Sequence, residues 1–399
     1  MASTSSKLTD SVQFPDNLNL VKTFYGFGAV GLIASLAGYF LNSEQFFFSY
    51  LTSFTFFTSI ALASLILVMI HHITKSSWGT VIRRIPESFS SNLWIWSIFV
   101  IPVLLGMSTL YSWTNTAYVA NDPIMLGKVP YLNEPFFIIR QIFYFAVWGY
   151  MGYRLHKISI EMDNTNNWGL VQALRKISAP GILIFSLTVA FASFDWLMSL
   201  DAHWFSTMFG VYFFAMSFQV LFPIIILMVF WMHKNGILKN TIGKAHIYDL
   251  GAWFFGFSVF YAYIAFSQFL LIYYANIPEE TLWFYHRLEG SWSFVTYAIL
   301  IGRFVLPFIV LLNRDLKHNN NLLIGVSVLV IVMHIVELHW IVMPVLSHSG
   351  ISLSWLDLAT FVGLGGVFMG LFFQQLKKNN LVPVNDPQLA ESLSKHYHQ

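Results

Sequence analysis

The chain contains no cysteine. Disulfides, thiolate metal ligands, iron-sulfur clusters and covalent haem of the Cys-x-x-Cys-His type are therefore excluded. Any redox centre that this protein serves must be held by a partner, and only a histidine-ligated haem or a bound quinone could sit here directly. Charge is scarce too: Asp, Glu, Lys and Arg make up 10% of the 399 residues, against about 25% in soluble domains. No Gly/Ser-rich linker or low-complexity run separates soluble modules, and a net charge of +2 gives no reason to expect nucleic acid. No cleavable signal peptide is visible in the polar first 17 residues, so the first span is expected to act as its own insertion signal.

What fills the chain is apolar. It is 56% hydrophobic with 40 Phe, and its mean hydropathy is +0.63. Those values belong to a polytopic protein whose solvent is mainly lipid and whose backbone must satisfy its own hydrogen bonds in helices. Apolar runs predict an all-α protein of about ten spans, at 18–41, 44–73, 91–113, 135–160, 176–200, 203–233, 246–275, 281–313, 321–346 and 352–376. Pro102, Pro223, Pro307 and Pro344 lie inside them. In this layout every Lys and Arg except Lys128, Arg140, Arg287 and Arg303 falls on the side of the N-terminus, Lys7 and Lys395 among them. By the positive-inside rule that side is cytoplasmic, and both termini share it. The expected organisation is a cytoplasmic segment 1–17, an integral membrane domain 18–376 and a cytoplasmic tail 377–399.

Ionisable groups within such spans are costly, so they are paired or functional. On the outer side, Arg140 opens the fourth span, Asp195 lies about one turn from the end of the fifth, and Asp201 and His203 occupy the turn after it. Asp201 is also a natural cap for the sixth span. His286, Arg287 and Glu289 open the eighth. Deeper, Arg303 lies about 15 Å and Glu337 about 24 Å from the cytoplasmic surface at 1.5 Å per helical residue. His334 and Glu337, at i and i+3, share a helix face, and a hairpin packed face to face would bring Arg303 to either of them. At the cytoplasmic side stand His71, His72 and Asp249. Together these positions predict a proton column from Asp249, His71 and His72 through Arg303, His334 and Glu337 to Asp195, Asp201, His203, Arg287 and Glu289. No pair of histidines at matching depth predicts an intrinsic haem, and no metal site is expected. The aromatic content suits a quinone pocket near Asp195, Trp196 and His286.

The run Ser193-Phe194-Asp195-Trp196-Leu197-Met198-Ser199-Leu200, continuing through His203-Trp204-Phe205-Ser206-Thr207-Met208-Phe209-Gly210, resembles the NrfD-like membrane subunits of bacterial alternative complex III. Asn276-Ile277-Pro278-Glu279-Glu280-Thr281, then Arg287 and Gly290-Ser291-Trp292, resembles the second of that family's two membrane subunits, quinone-binding subunit 2 (ActF). Asp386-Pro387-Gln388-Leu389-Ala390-Glu391-Ser392-Leu393 in the tail is similar to it as well. The resemblance implies two four-helix bundles with flanking spans, placed in the bacterial cytoplasmic (inner) membrane. It implies a non-redox subunit of a respiratory quinol:cytochrome c oxidoreductase. Partner subunits would be an iron-sulfur protein, a multihaem cytochrome c and the related NrfD-like subunit, with a terminal oxidase a further partner, and they would carry the haems and clusters. Two other expectations stay open: a purely structural docking subunit of the same complex, and a secondary transporter.

Overall fold

The computed structural model describes residues 8, 10–165, 167–317, 319–348 and 350–394, so Lys7 and Lys395 lie outside it. All regular structure among the described residues is helical, without a strand. Nine helices among the described residues are long and apolar enough to cross a membrane: α1 (Leu20–Leu41), α2 (Ser43–Thr74), α3 (Arg84–Leu105), α5 (Gly169–Leu200), α6 (Phe209–Lys234), α7 (Lys244–Ala275), α8 (Trp292–Leu312), α9 (Asn320–Val345) and α10 (Trp355–Lys378). Between α3 and α5 lies α4 (Glu134–Asn164), about as long as α5 at 31 residues but more polar. The chain is thus an all-α, multi-pass membrane protein.

Local chemistry sets the helix starts. Asn42, Asn133 and Asn319 accept backbone N–H groups of the first turns of α2, α4 and α9. Ser354 and Asp357 form a reciprocal capping box on α10, and such caps satisfy donors that lipid cannot. Four spans begin or break differently from the sequence expectation, the third running Arg84–Leu105 instead of 91–113 and the fifth starting at Gly169 instead of 176. The run 281–313 divides into a short amphipathic helix, Pro278–Leu288, and α8, because Gly290 turns the chain at φ 57°. The sixth span starts at Phe209, after a turn that begins at Asp201.

The centre of the molecule is α2, whose most apolar stretch is 94% buried. It packs against α5, α6, α9 and α10. On one side α3, α4 and α5 gather around it; on the other, α6 packs on α7 and α9, and α8 lies against α7 and α9. α1 attaches chiefly to α10, through glycines. A Cβ on Gly31 would stand 2.3 Å from the Gly363 N, and one on Gly366 2.2 Å from the Gly28 N. The two backbones therefore touch, the small-residue contact by which helices associate in lipid.

Candidate functional site

Prolines prepare the deep site. Pro307 has no N–H to give the carbonyl of Arg303, four residues earlier, and the helix around that carbonyl, Leu300–Val305, is wound as a π-helix. The freed Arg303 oxygen accepts the Gln219 side-chain amide at 2.9 Å. Arg303 itself is 0% exposed. Its Nη1 donates to Glu337 and, at 3.0 Å, to His334 Nδ1. Its Nη2 donates to the Met216 carbonyl and to Gln219 Oε1, which also takes Nε. Every guanidinium N–H is thereby used. Glu337, equally buried, also accepts the hydroxyls of Tyr212 and Tyr261, and the Tyr261 ring lies under the guanidinium at 4.4 Å. The Gln219 amide further donates to Ser258 Oγ at 3.1 Å.

These contacts settle the state of His334. Arg303 can only donate, so Nδ1 accepts and the proton sits on Nε2. That N–H faces Ser59 Oγ of α2 at 3.0 Å, and the Ser59 hydroxyl donates its hydrogen bond to the Phe56 carbonyl at 2.7 Å. Five helices, α2 and α6 to α9, thus meet at one neutral, satisfied cluster.

A second cluster of like composition surrounds Asp195, also 0% exposed. Arg140 grips both its oxygens, Nη2 to Oδ1 at 2.8 Å and Nε to Oδ2 at 2.9 Å. Tyr131 donates to Oδ1 at 2.9 Å, and Tyr144 and Gln141 donate to Oδ2 at 3.0 and 3.3 Å. Gln141 accepts the Trp196 indole N–H at 2.8 Å. The Tyr131 ring lies 3.9 Å from the Arg140 guanidinium. The pattern of one acid, one arginine, two phenols and a glutamine occurs twice, but the clusters share no side chain. Of the expected column, Arg303, His334 and Glu337 are gathered in one cluster and Asp195 with Arg140 in another, with no side chain in common.

Other candidate residues are placed differently from the expectation. Arg287 makes no ion pair within 4 Å among the described residues. It is buried on the carbonyls of Trp283, Trp340 and Ile341 at 2.8, 3.1 and 2.7 Å, and again a proline is responsible: Pro344 leaves the Trp340 carbonyl without its helical donor. Carbonyls at a helix C-terminus suit a cation. Glu289 is exposed, apart from Arg287. Asp201 does not cap α6, which begins beyond it with no side-chain cap. His203 faces Asp122 across 2.5 Å and, by that hydrogen bond, holds the Asp122 carboxyl below its ordinary value. Trp196 is closed into the Asp195 cluster, whereas His286 rings against His348. Asp249 is buried near the start of α7.

His71 and His72 lie at the end of α2 beside a charged group that sequence reading missed. Glu87 receives both Arg83 and Arg84, at 2.9 and 2.7 Å; Arg84 also binds Asp163 at 2.5 Å, and Arg83 binds Asp386 of the tail at 2.6 Å. Burial alone would raise the Asp386 carboxyl, but Arg83 and the Gln388 N–H outweigh it and hold it below its ordinary value. The tail is anchored further by Leu381 N–H to the Val12 carbonyl and by His246 to the Ser392 carbonyl.

Prolines four residues after an arginine or tryptophan are the sequence signal that could have exposed part of this. The tyrosines carry no such mark. No protein-family model matches the chain, and no curated protein matches it.

Proposed function

We propose that this chain is a membrane subunit of a respiratory quinol:electron-acceptor oxidoreductase of the alternative complex III type, and that its own part is to conduct protons while partner subunits carry the electrons. The reading is supported by one observation above all: two acids at zero exposure, Glu337 and Asp195, are each held by an arginine and two phenolic hydroxyls in separate helix groups. Intramembrane carboxylates are costly to keep, and relays in pumps are built from Asp, Glu and His. In this reading Asp195 serves the outer side, Glu337 and His334 the middle, and His71 and His72 the cytoplasmic side, with both termini cytoplasmic and the helices grouped as two four-helix bundles flanked by α1 and α10.

In this reading the middle step turns on the hydrogen bonds of Arg303. His334 can accept a proton at Nδ1 only after Arg303 leaves that nitrogen, so Arg303 gates the relay. Protonation of Glu337 would release Arg303 in turn.

The test is made in the assembled complex. Asp195→Asn or Glu337→Gln is expected to lower proton release per quinol oxidised while haem and iron-sulfur partners still copurify with the tagged chain. Unchanged proton yield and turnover in both variants would refute conduction through these residues. A second reading, a docking subunit in which both clusters are static clamps, draws on the complete saturation of Arg303, and that outcome would establish it. Since there is no native cysteine, single cysteines at Lys75 and Lys128 labelled by an impermeant reagent test the orientation.

A further inference from the structure

Where α3 begins and α4 ends, the buried charges do not balance. Arg83 and Arg84 face three carboxylates, Glu87, Asp163 and Asp386, in one chain of contacts. One negative charge is left over in a group whose five side chains are each 6% exposed or less. An uncompensated charge at that depth is costly, and a carboxylate escapes the cost by taking a proton.

The donors on each carboxylate decide which one does so. Glu87 takes both arginines and, at 2.9 Å, the Ser159 hydroxyl. Asp386 takes Arg83 at 2.6 Å and the Gln388 N–H at 2.8 Å. Asp163 takes Arg84 alone, on Oδ2, and its Oδ1 is buried with no hydrogen-bond partner among the described residues. Asp163 is therefore the least stabilised anion, and Oδ1 is the place for the proton. The residue lies past the apolar span expected at 135–160, and burial pushes its carboxyl up to about 6.

A second group points into the cluster. His156 is 7% exposed, neither of its ring nitrogens has a hydrogen-bond partner among the described residues, and Nδ1 stands 3.7 Å from Glu87 Oε2. His156, Ser159 and Asp163 fall at i, i+3 and i+7, which puts them on one face of α4, and that face meets Arg84 and Glu87. At 1.5 Å per residue His156 lies about 10 Å deeper along the helix than Asp163. The row thus leads inward from a helix end where Glu161 and Asn164 are exposed. His72 of α2 lies among the same charges, Arg83, Arg84, Glu87 and Asp386.

We infer that Asp163 binds one exchangeable proton and is the cytoplasmic entry to the relay, with His156 the next acceptor inward. The entry role rests on the conduction reading above; the bound proton rests on charge and contacts alone. Uptake places the proton on Oδ1 and leaves two arginines against two carboxylates, with Arg84 still able to donate to Oδ2 and to Glu87. The cluster is then neutral. A proton needs no cavity, only solvent at the helix end.

The test begins with the purified chain in lipid nanodiscs, titrated by infrared spectroscopy for the C=O stretch of a protonated carboxyl. The parent is expected to gain one such band as pH falls through about 6. Asp163→Asn should lose it, and Glu161→Gln, which removes an exposed acid of the same helix end, should keep it. Asp163→Glu retains an acid of longer reach and should shift the titration, which keeps the test available should Asp163→Asn fail to fold. No band in the parent, a band that survives Asp163→Asn, or one that Asp163→Glu leaves unmoved would overturn the site. In the assembled complex, Asp163→Asn should lower proton release per quinol to the extent that Glu337→Gln does. Unchanged release in Asp163→Asn beside lowered release in Glu337→Gln would overturn the entry role alone. Unchanged release in both, with the band still lost in Asp163→Asn, would sink the conduction reading and leave the proton site standing.

Discussion

Replacing Glu337 by Gln removes a charge and almost no volume, which makes it the sharpest probe of the deep cluster. The carboxamide oxygen can take the place of Oε1 and keep both tyrosine hydroxyls. Its NH2 group then stands where Oε2 accepted Arg303, so two donors face each other and a guanidinium at 0% exposure has lost its counter-charge. A hydrogen bond to a charged group is worth about 1.5–3 kcal/mol, and breaking a buried pair by deleting one partner costs about 3–5 kcal/mol, because the remaining charge is stranded. The upper range is expected here, since all other Arg303 donors are already committed to Gln219, Met216 and His334. The measurement is reversible unfolding of the purified chain in mixed micelles, followed by helicity, for Glu337→Gln, Arg303→Gln and the double variant. The double variant should be less destabilised than the sum of the singles by about 2 kcal/mol or more. Additive singles, or a Glu337→Gln variant within about 1 kcal/mol of the parent, would refute the claim that this pair is dry and mutually dependent.

Asp195→Asn should cost less than Glu337→Gln in the same assay, because Arg140 is 7% exposed and Arg303 not at all; the reverse order would show the Asp195 cluster to be the tighter. Gly363→Leu should cost about 1–3 kcal/mol by overpacking and separate α1 from α10, read as Tyr25→Phe, which removes a 2.8 Å hydrogen bond to Gln374 in the parent, costing nothing further in the variant. The Asp386 carboxyl lies below its unfolded value, so the stability it lends the tail is fully present above about pH 4 and is lost as pH falls through the folded value. Limited proteolysis should then release the segment after Leu381 in acid but not at neutral pH, and Asp386→Asn should release it at both. A tail that stays protected in Asp386→Asn would show that the Arg83 contact does not hold it.

How much of this was legible beforehand differs residue by residue. The deep arginine, histidine and glutamate could be singled out because lipid makes such groups rare, and the i to i+3 spacing put two of them on one face. Their contact with Arg303 depended on how α8 and α9 meet, which the π-helical stretch and Pro307 decide. Arg140 could be noticed, but its pairing with Asp195 joins residues 55 positions apart on α4 and α5. Tyr131, Tyr144, Tyr212 and Tyr261 could not be picked from 18 tyrosines, since a buried tyrosine and one at the lipid interface look alike in a sequence. The division of 281–313 went unseen because the apolar run Leu282-Trp283-Phe284-Tyr285 of the short helix reads as the start of the span that α8 forms.

Composition and hydropathy by themselves determined that this protein is helical and crosses a membrane many times, because in lipid an unsatisfied backbone has no other refuge. They determined as well that it holds no thiolate-bound metal, there being no cysteine. Only the tertiary structure decided that the deep charges gather into two similar clusters with no side chain in common, and that Glu87 joins Arg83 and Arg84 beside the end of α2. Hydrophobic patterning acts along the chain, at the spacing of a helix turn. Ion pairs, phenol contacts and cavities are made across it, between helices whose rotation and depth no local pattern sets.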